Sequence, residues 1–340
     1  MESRIDGSEN YCDTRPARRP RNMRFSGRLV SSCEVKRSLF VLAVLLSAAC
    51  STSADSDGRG AAGGEGGSDV TSSVGGGVAA TTTGGSGGRC EEAPMPLLVR
   101  NFDGWEAYFI EVRINDQPVA LQVDTGAAES FILQPPTEPD FTPDVADVEL
   151  GCDVISFPGR GIGLTVEPIA GLEVVGLLGA DYFLAAPTRI DAAKRTVTRL
   201  TAPGALEQAT ANAVPIAFDE VLGHILAPVE LDGDAVRLMF DTGAATLRIG
   251  VNGNPGDEEI LVQDADGNIF SVYRGTATLS TDNLAERVVP VERTPTFPYF
   301  EQTVDALGGN LHGLLGLEAF AQEAIVVDGA SGTLHIVPSK

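Results

Sequence analysis

The pentapeptide Asp-Thr-Gly-Ala-Ala occurs twice in this 340-residue chain, at Asp124–Ala128 and Asp241–Ala245, and that duplication constrains the fold more than any other feature. Each copy follows two short apolar runs of alternating polarity, the pattern of paired β-strands. Phe109–Ile114 and Val119–Val123 are joined by a segment that opens with Asn115-Asp116, while Ile225–Leu231 and Val236–Phe240 flank Asp232-Gly233-Asp234. Both connections are rich in turn formers. Gly-Leu-Leu-Gly follows each copy, at Gly176–Gly179 and Gly313–Gly316. Further strand pairs come last, Ile190-Asp191 with Val197–Leu200 and Val327-Asp328 with Leu334–Val337. The first motif recurs after 117 residues (124 to 241) and the second after 137 (176 to 313), so the second copy holds about 20 more residues between the two. The chain reads as two similar strand-rich units in tandem, a mainly β fold.

A strand running into Asp-Thr-Gly-Ala, with an apolar-apolar-Gly motif after it, resembles the aspartic proteases. Each unit is similar to a retropepsin-like half, and the tandem resembles the bilobal acid-protease-like fold made of two β-barrel halves. The resemblance covers most of residues 100–340. It divides the folded part into an N-terminal lobe, 96–205, and a C-terminal lobe, 206–340. It implies an aspartic-type endopeptidase whose active site is complete in one monomer, with a peptide or protein substrate and neither cofactor nor metal.

The implied catalytic residues are Asp124 and Asp241. Two carboxylates within hydrogen-bond reach cannot both ionise cheaply, so the pair shares a proton and titrates as a unit. One member then acts as base toward a water held between them, and the other donates to the developing oxyanion of a peptide bond. By the same resemblance, Thr125 and Thr242 hydrogen-bond across the lobe interface and hold the active loops rigid. Gly126 and Gly243 let backbone approach the carboxylates without a clashing side chain. Leu177, Leu178 and Gly179, with Leu314, Leu315 and Gly316, are expected as buried strands threading beside those loops. Ala127 and Ala244 stand where pepsin-like enzymes usually carry a hydroxyl residue, which predicts a higher apparent pKa and activity at mildly acidic to near-neutral pH. Two segments are candidates for a substrate-covering flap. They are Phe157–Gly163 and Gln263–Asn268, the latter holding the turn pair Asp266-Gly267 between Ile260–Val262 and Ile269–Val272. Two other readings of the same halves stay open: a non-catalytic peptide-binding lipoprotein, and a processing protease that assembles its site by dimerisation.

The formal net charge of −23 argues against nucleic-acid binding, which needs a basic footprint. Residues 1–49 carry nine Lys/Arg and five Asp/Glu, leaving 15 bases and 42 acids, or −27, for the rest. Lys36 and Arg37 precede the apolar run Ser38–Ala49, whose length suits a signal-peptide core and falls short of the roughly 20 residues of a membrane span. Residues 1–49 are accordingly read as a signal peptide. Leu-Ser-Ala-Ala-Cys50 resembles a bacterial lipoprotein cleavage box, with Cys50 as the lipidation site; an ordinary secretory signal is the alternative. Residues 50–95 form a tether, since positions 51–89 hold 13 glycines and no aromatic residue. Lipid anchoring would make the membrane a partner and place the protein in the cell envelope. Ser51 favours the outer membrane, because it lacks the acidic residue that by this resemblance retains lipoproteins in the inner one. Cys90 and Cys152 then remain, as a disulfide or as two free thiols.

Other patterns carry less. Asp264-Ala-Asp-Gly-Asn lacks the glycine and glutamate positions of a calcium loop, and Gly159-x-Gly161-x-Gly163 has the wrong spacing for a dinucleotide fingerprint. Gly84-Gly-Ser86-Gly-Gly88 has no strand or helix around it to form a nucleophile elbow. His224, His312 and His335 lie far apart and read as core or surface residues. Asp181 and Glu318, just after the Leu-Leu-Gly motifs, read as caps or first-turn acids of short helices.

Overall fold

Turn chemistry builds both predicted hairpins. The structure is a computed structural model that describes residues 28–29, 93–102, 105–133, 146–151, 153–160, 167–244, 246–263, 269–295, 304–305, 307, 309 and 311–338. Cys50, the expected lipidation site, the segment expected as a tether through residue 92, and both Cys90 and Cys152 lie outside the described residues. Trp105–Ile114 pairs antiparallel with Gln117–Val123 around Asn115 (φ 50°) and Asp116 (φ 62°). His224–Leu231 pairs with Asp234–Phe240 around Asp232 (φ 54°) and Gly233 (φ 88°). Positive φ at both central residues matches the type I′ turn, whose twist suits the flanking strands.

A third hairpin joins Asp219–Val221 to His224–Leu231 through Leu222 (φ 52°) and Gly223 (φ 80°). Leucine at positive φ costs about 1–2 kcal/mol, because Cβ crowds the following carbonyl. Leu222 is 68% exposed, so little packing offsets that cost. Asparagine tolerates this conformation, and Leu222→Asn is expected to raise the denaturant midpoint, by about 0.5–1 kcal/mol of stability.

The strands form two sheets. One runs in the order Val214–Ala217, Thr333–Pro338, Glu323–Asp328, Thr188–Asp191, Thr196–Arg199, Met95–Phe102, Trp105–Ile114, Gln117–Val123, Val174–Leu178, Phe131–Leu133, Gly159–Arg160. Ala146–Leu150 and Asp153–Phe157 form a hairpin attached to Trp105–Ile114. The other runs Glu258–Gln263, Ile269–Ser280, Arg287–Arg293, Leu247–Ile249, Gly313–Leu315, Asp234–Phe240, His224–Leu231, Asp219–Val221, with Arg28–Leu29 parallel to Glu258–Gln263 at its edge.

The ladders repeat as the sequence does. Gln122↔Leu177 and Val123↔Leu178 pair in parallel, and so do their counterparts Met239↔Leu314 and Phe240↔Leu315. Phe131↔Leu177 and Ile132↔Gly176 are matched by Arg248↔Leu314 and Ile249↔Gly313. The first sheet joins the two units where Thr188–Asp191 meets Glu323–Asp328, with Thr188↔Val327, Arg189↔Val326 and Ile190↔Ile325. At the 137-residue offset, the first and third of these pairs interchange and Arg189↔Val326 maps onto itself. A local two-fold axis therefore passes between Arg189 and Val326. One apolar core spans the junction, drawing Phe183, Ile190 and Val197 from the first unit and Phe320, Ile325 and Leu334 from the second.

The extra residues of the second copy sit largely in the hairpin Glu258–Gln263/Ile269–Ser280, whose pairing continues to Gln263↔Ile269. Buried Arg293 anchors its root. The guanidinium donates to Asp257 Oδ2 (3.0 Å), Asp232 Oδ2 (3.1 Å) and the Thr276 carbonyl (3.1 Å), so one cation fixes a turn and both arms. Beside it, Glu292 accepts from Arg248 Nε (3.0 Å) and Arg274 Nε (3.0 Å), and those cations hold its pKa down against burial.

Candidate active site

Each Asp-Thr-Gly loop begins where a buried strand stops. Asp124 follows Gln117–Val123, and its N–H donates to the Leu178 carbonyl at 3.0 Å; Asp241 follows Asp234–Phe240 and donates to the Leu315 carbonyl at 3.1 Å. The neighbouring Leu-Leu-Gly strands thereby set the height of both loops. The loops meet through their threonines in a reciprocal arrangement. Thr125 N–H donates to Thr242 Oγ1 and Thr242 N–H to Thr125 Oγ1, both at 3.0 Å. Each hydroxyl passes its own proton back across the junction, Thr125 Oγ1 to the Phe240 carbonyl (2.9 Å) and Thr242 Oγ1 to the Val123 carbonyl (3.1 Å). All four bonds are buried.

This junction brings Asp124 and Asp241 together from one chain, at 2% and 1% exposure. Gly126 N–H donates to Asp124 Oδ1 at 3.0 Å, and Gly243 N–H to Asp241 Oδ1 at 2.8 Å. Both glycines are required by the opposite carboxylate. A Cβ on Gly126 would lie 2.5 Å from Asp241 Cγ, and one on Gly243 would lie 2.6 Å from Asp124 Cγ.

Burial pushes the Asp124 carboxyl well above the usual carboxylate range, and the charge of Asp241 pushes it further. Asp241 is raised too, again chiefly by burial, against the hydrogen bond from Asp124, the N–H groups of Gly243 and Ala244, and the Arg248 charge. Asp241 Oδ2 is buried with no hydrogen-bond partner. Two buried acids with raised pKa values and one unfilled acceptor suit a pair that holds a shared proton. The chain matches no known family model and no curated protein.

The remaining predicted residues fall around this pair. Leu177, Leu178, Leu314 and Leu315 are fully buried in the strands beside it. Gly179 is needed for close passage, since a Cβ there would lie 2.6 Å from the Glu129 carbonyl carbon. Gly316 precedes the short 3-10 helix Leu317–Phe320. The closest passage belongs to glycines that sequence reasoning did not single out. A Cβ on Gly176 would lie 2.2 Å from the Phe131 carbonyl oxygen, and one on Gly313 would lie 2.1 Å from that of Arg248. The repeated first glycine of Gly-Leu-Leu-Gly was the signal available for this.

Asp181 and Glu318 are first-turn acids, with Gly179 and Gly316 as the caps themselves. Asp181 Oδ1 accepts from Ser130 N–H (2.9 Å), Ser130 Oγ (2.6 Å) and Tyr182 N–H (2.9 Å), which ties the first loop to the helix Ala180–Ala185. Of the flap candidates, Glu258–Gln263 and Ile269–Ser280 do form hairpin arms, while the turn 264–268 lies outside the described residues. In the other candidate, Phe157 ends a sheet strand and Gly159–Arg160 pairs parallel with Ile132–Leu133. That segment takes the place that Arg287–Arg293 takes beside Leu247–Ile249, so its described part is sheet and not a flap arm. Among the described residues, no cluster of His, Cys, Asp or Glu is placed to hold a metal ion.

Proposed function

We propose that this protein is an aspartic endopeptidase with an acid-protease-like, bilobal arrangement of two fused retropepsin-like halves. The observation that carries the reading is the buried Asp124–Asp241 pair, held by reciprocal threonine bonds from two copies of one motif. In this reading a water between the carboxylates is the nucleophile. The ionised aspartate takes its proton as it attacks the scissile carbonyl, and the protonated aspartate donates to the carbonyl oxygen. The tetrahedral intermediate then collapses with proton transfer to the leaving amine. Gly126 and Gly243 N–H groups stabilise whichever carboxylate is ionised, and the hairpin Glu258–Gln263/Ile269–Ser280 covers the substrate.

A second reading, a peptide-binding module without turnover, draws on the deep burial of both carboxylates. Its weakness is energetic: a binding cleft gains nothing from two buried acids that repel each other when ionised. The signal, the Cys50 lipid, the tether and an outer-membrane location complete the proposal. No helix among the described residues is long and apolar enough to cross a membrane.

The test is digestion of a denatured protein mixture across about pH 2 to 8, bracketing the reference carboxylate and histidine values. Because both aspartates are raised above the usual range, the half-protonated pair persists to higher pH than for ordinary carboxylates. The optimum is expected at mildly acidic to near-neutral pH. An optimum below about pH 3 would contradict this, since it would require a pair more acidic than free aspartate.

A further inference from the structure

The hairpin tip Leu222-Gly223 stands between the two active loops. On one side Val221 packs against the small apolar cluster that holds Ala244 of the second loop. On the other, Gly223 meets the first loop, where a Cβ on it would lie 2.9 Å from the Ala128 Cβ. Strand register sets the same height. Leu226 pairs with Met239, two residues before Asp241, so the start of His224–Leu231 lies level with the aspartate pair. Leu222 sits between these two contacts with its own side chain exposed.

An exposed leucine is ordinary by itself. An exposed leucine at positive φ is not, because the conformation costs stability and no packing within the fold repays it. Of the non-glycine residues at positive φ among the described residues, Leu222 alone carries a large apolar side chain. The other two hairpin turns use Asn115-Asp116 and Asp232-Gly233, so residues suited to this conformation are within reach of the sequence. Strain of this kind persists where the site needs the side chain itself. The same choice recurs in the first unit. The 117-residue offset, which also carries the pair Phe109↔Gln122 onto Leu226↔Met239, places Trp105 at the register position of Leu222. A bulky apolar residue type therefore stands at this place in both units.

The geometry points to Leu222 as a specificity-determining residue: it forms an apolar wall beside the aspartate pair that receives a bulky apolar side chain, such as Leu, Phe or Met, of the bound peptide a few residues from the scissile bond. This rests on the reading of Asp124 and Asp241 as the catalytic pair. The fold leaves Leu222 in water, and a peptide side chain laid against it removes apolar surface from both partners at once. A charged side chain in the same position would lose water and gain no hydrogen-bond partner from leucine, so it is selected against. The hairpin is held to both active loops, so the wall keeps a fixed distance from the reacting carboxylates.

Two arms test this. In the active protein, the bonds cut in a denatured protein mixture are read by mass spectrometry for the wild type, Leu222→Asn and Leu222→Met. The wild type is expected to favour a bulky apolar residue at one fixed position beside the cut. Leu222→Asn, expected above to be the more stable protein, should flatten that preference and lower kcat/KM on the best wild-type sites about tenfold, while Leu222→Met retains both. An unchanged profile in Leu222→Asn would overturn the proposal, and an unchanged profile with a dimer lost in sedimentation would assign the residue to contact with a second copy. The other arm needs no turnover. The Asp241→Asn protein, with Leu222 intact or as Leu222→Asn, is bound to an array of peptides tiled from one unfolded protein. Signals on peptides rich in Leu, Phe and Met are expected to fall about tenfold with the asparagine, and equal signals would overturn the wall whether or not the protein is a protease. The catalytic reading itself fails on a different result, cleavage that survives substitution of the aspartates.

Discussion

Asp124→Asn and Asp241→Asn are each expected to abolish proteolysis while leaving the protein folded and, at neutral pH, at least as stable as the wild type. Either change removes a proton acceptor or donor that the other carboxylate cannot replace. General acid–base catalysis of this kind is worth on the order of 10²–10⁴-fold, and loss of the unit falls at the upper end. The stability half of the prediction follows from the direction of the pKa shifts. Both carboxyls are raised above 3.8, so between that value and their folded pKa values the folded protein holds more protons than the unfolded chain. Stability therefore falls as pH rises through that window. Asparagine does not titrate and keeps a donor for its neighbour, so the advantage of the variants over wild type should grow from pH 4 to pH 7. Thermal melts at those two values, beside digestion assays, separate the outcomes. Cleavage that persists in both variants sinks the aspartate mechanism, and variants that fail to fold would show that the pair is held together by charge-assisted bonding instead of tolerated against burial.

Much of this site was legible because its residue types are dictated locally. Asn115-Asp116 and Asp232-Gly233 take positive φ for which few other pairs are suited, and Asp-Thr-Gly at the end of an apolar strand recurs at the spacing that the ladders then reproduce. The parts that were not legible depend on partners distant in sequence. Nothing in the motif distinguishes Gly176 from Gly179, and only the packing of Phe131 against the strand makes the first the tighter passage. Nothing in the sequence around Arg293 marks its burial, because its partners Asp232 and Asp257 lie far from it along the chain. The 20-residue excess of the second copy was countable, but its placement in the hairpin Glu258–Gln263/Ile269–Ser280 follows only from the strand pairing.

Replacing a junction threonine should be nearly as damaging as replacing an aspartate, by a different route. Thr125→Val keeps the volume and removes the hydroxyl, which strands the Thr242 N–H without its acceptor and the Phe240 carbonyl without its donor. Both groups are buried, and each buried group left unpaired costs about 1–3 kcal/mol, so the change is expected to cost about 2–6 kcal/mol. Against the 5–15 kcal/mol typical of whole domains, that approaches global unfolding. Thr242→Val is the mirror case, stranding the Thr125 N–H and the Val123 carbonyl. Serine keeps the hydroxyl, so Thr125→Ser should retain most of the stability and activity, and chemical denaturation of the Val and Ser variants reads the difference directly. The double Val substitution adds a sharper expectation. Once Thr125 is valine, the two bonds through its hydroxyl are lost and the two through Thr242 Oγ1 span a loosened junction, so Thr242→Val should cost less in that background than alone. A fully additive pair would mean that the two hydroxyls act independently, and small costs for both single changes would mean that the apolar core around Phe183 and Ile325 holds the loops instead.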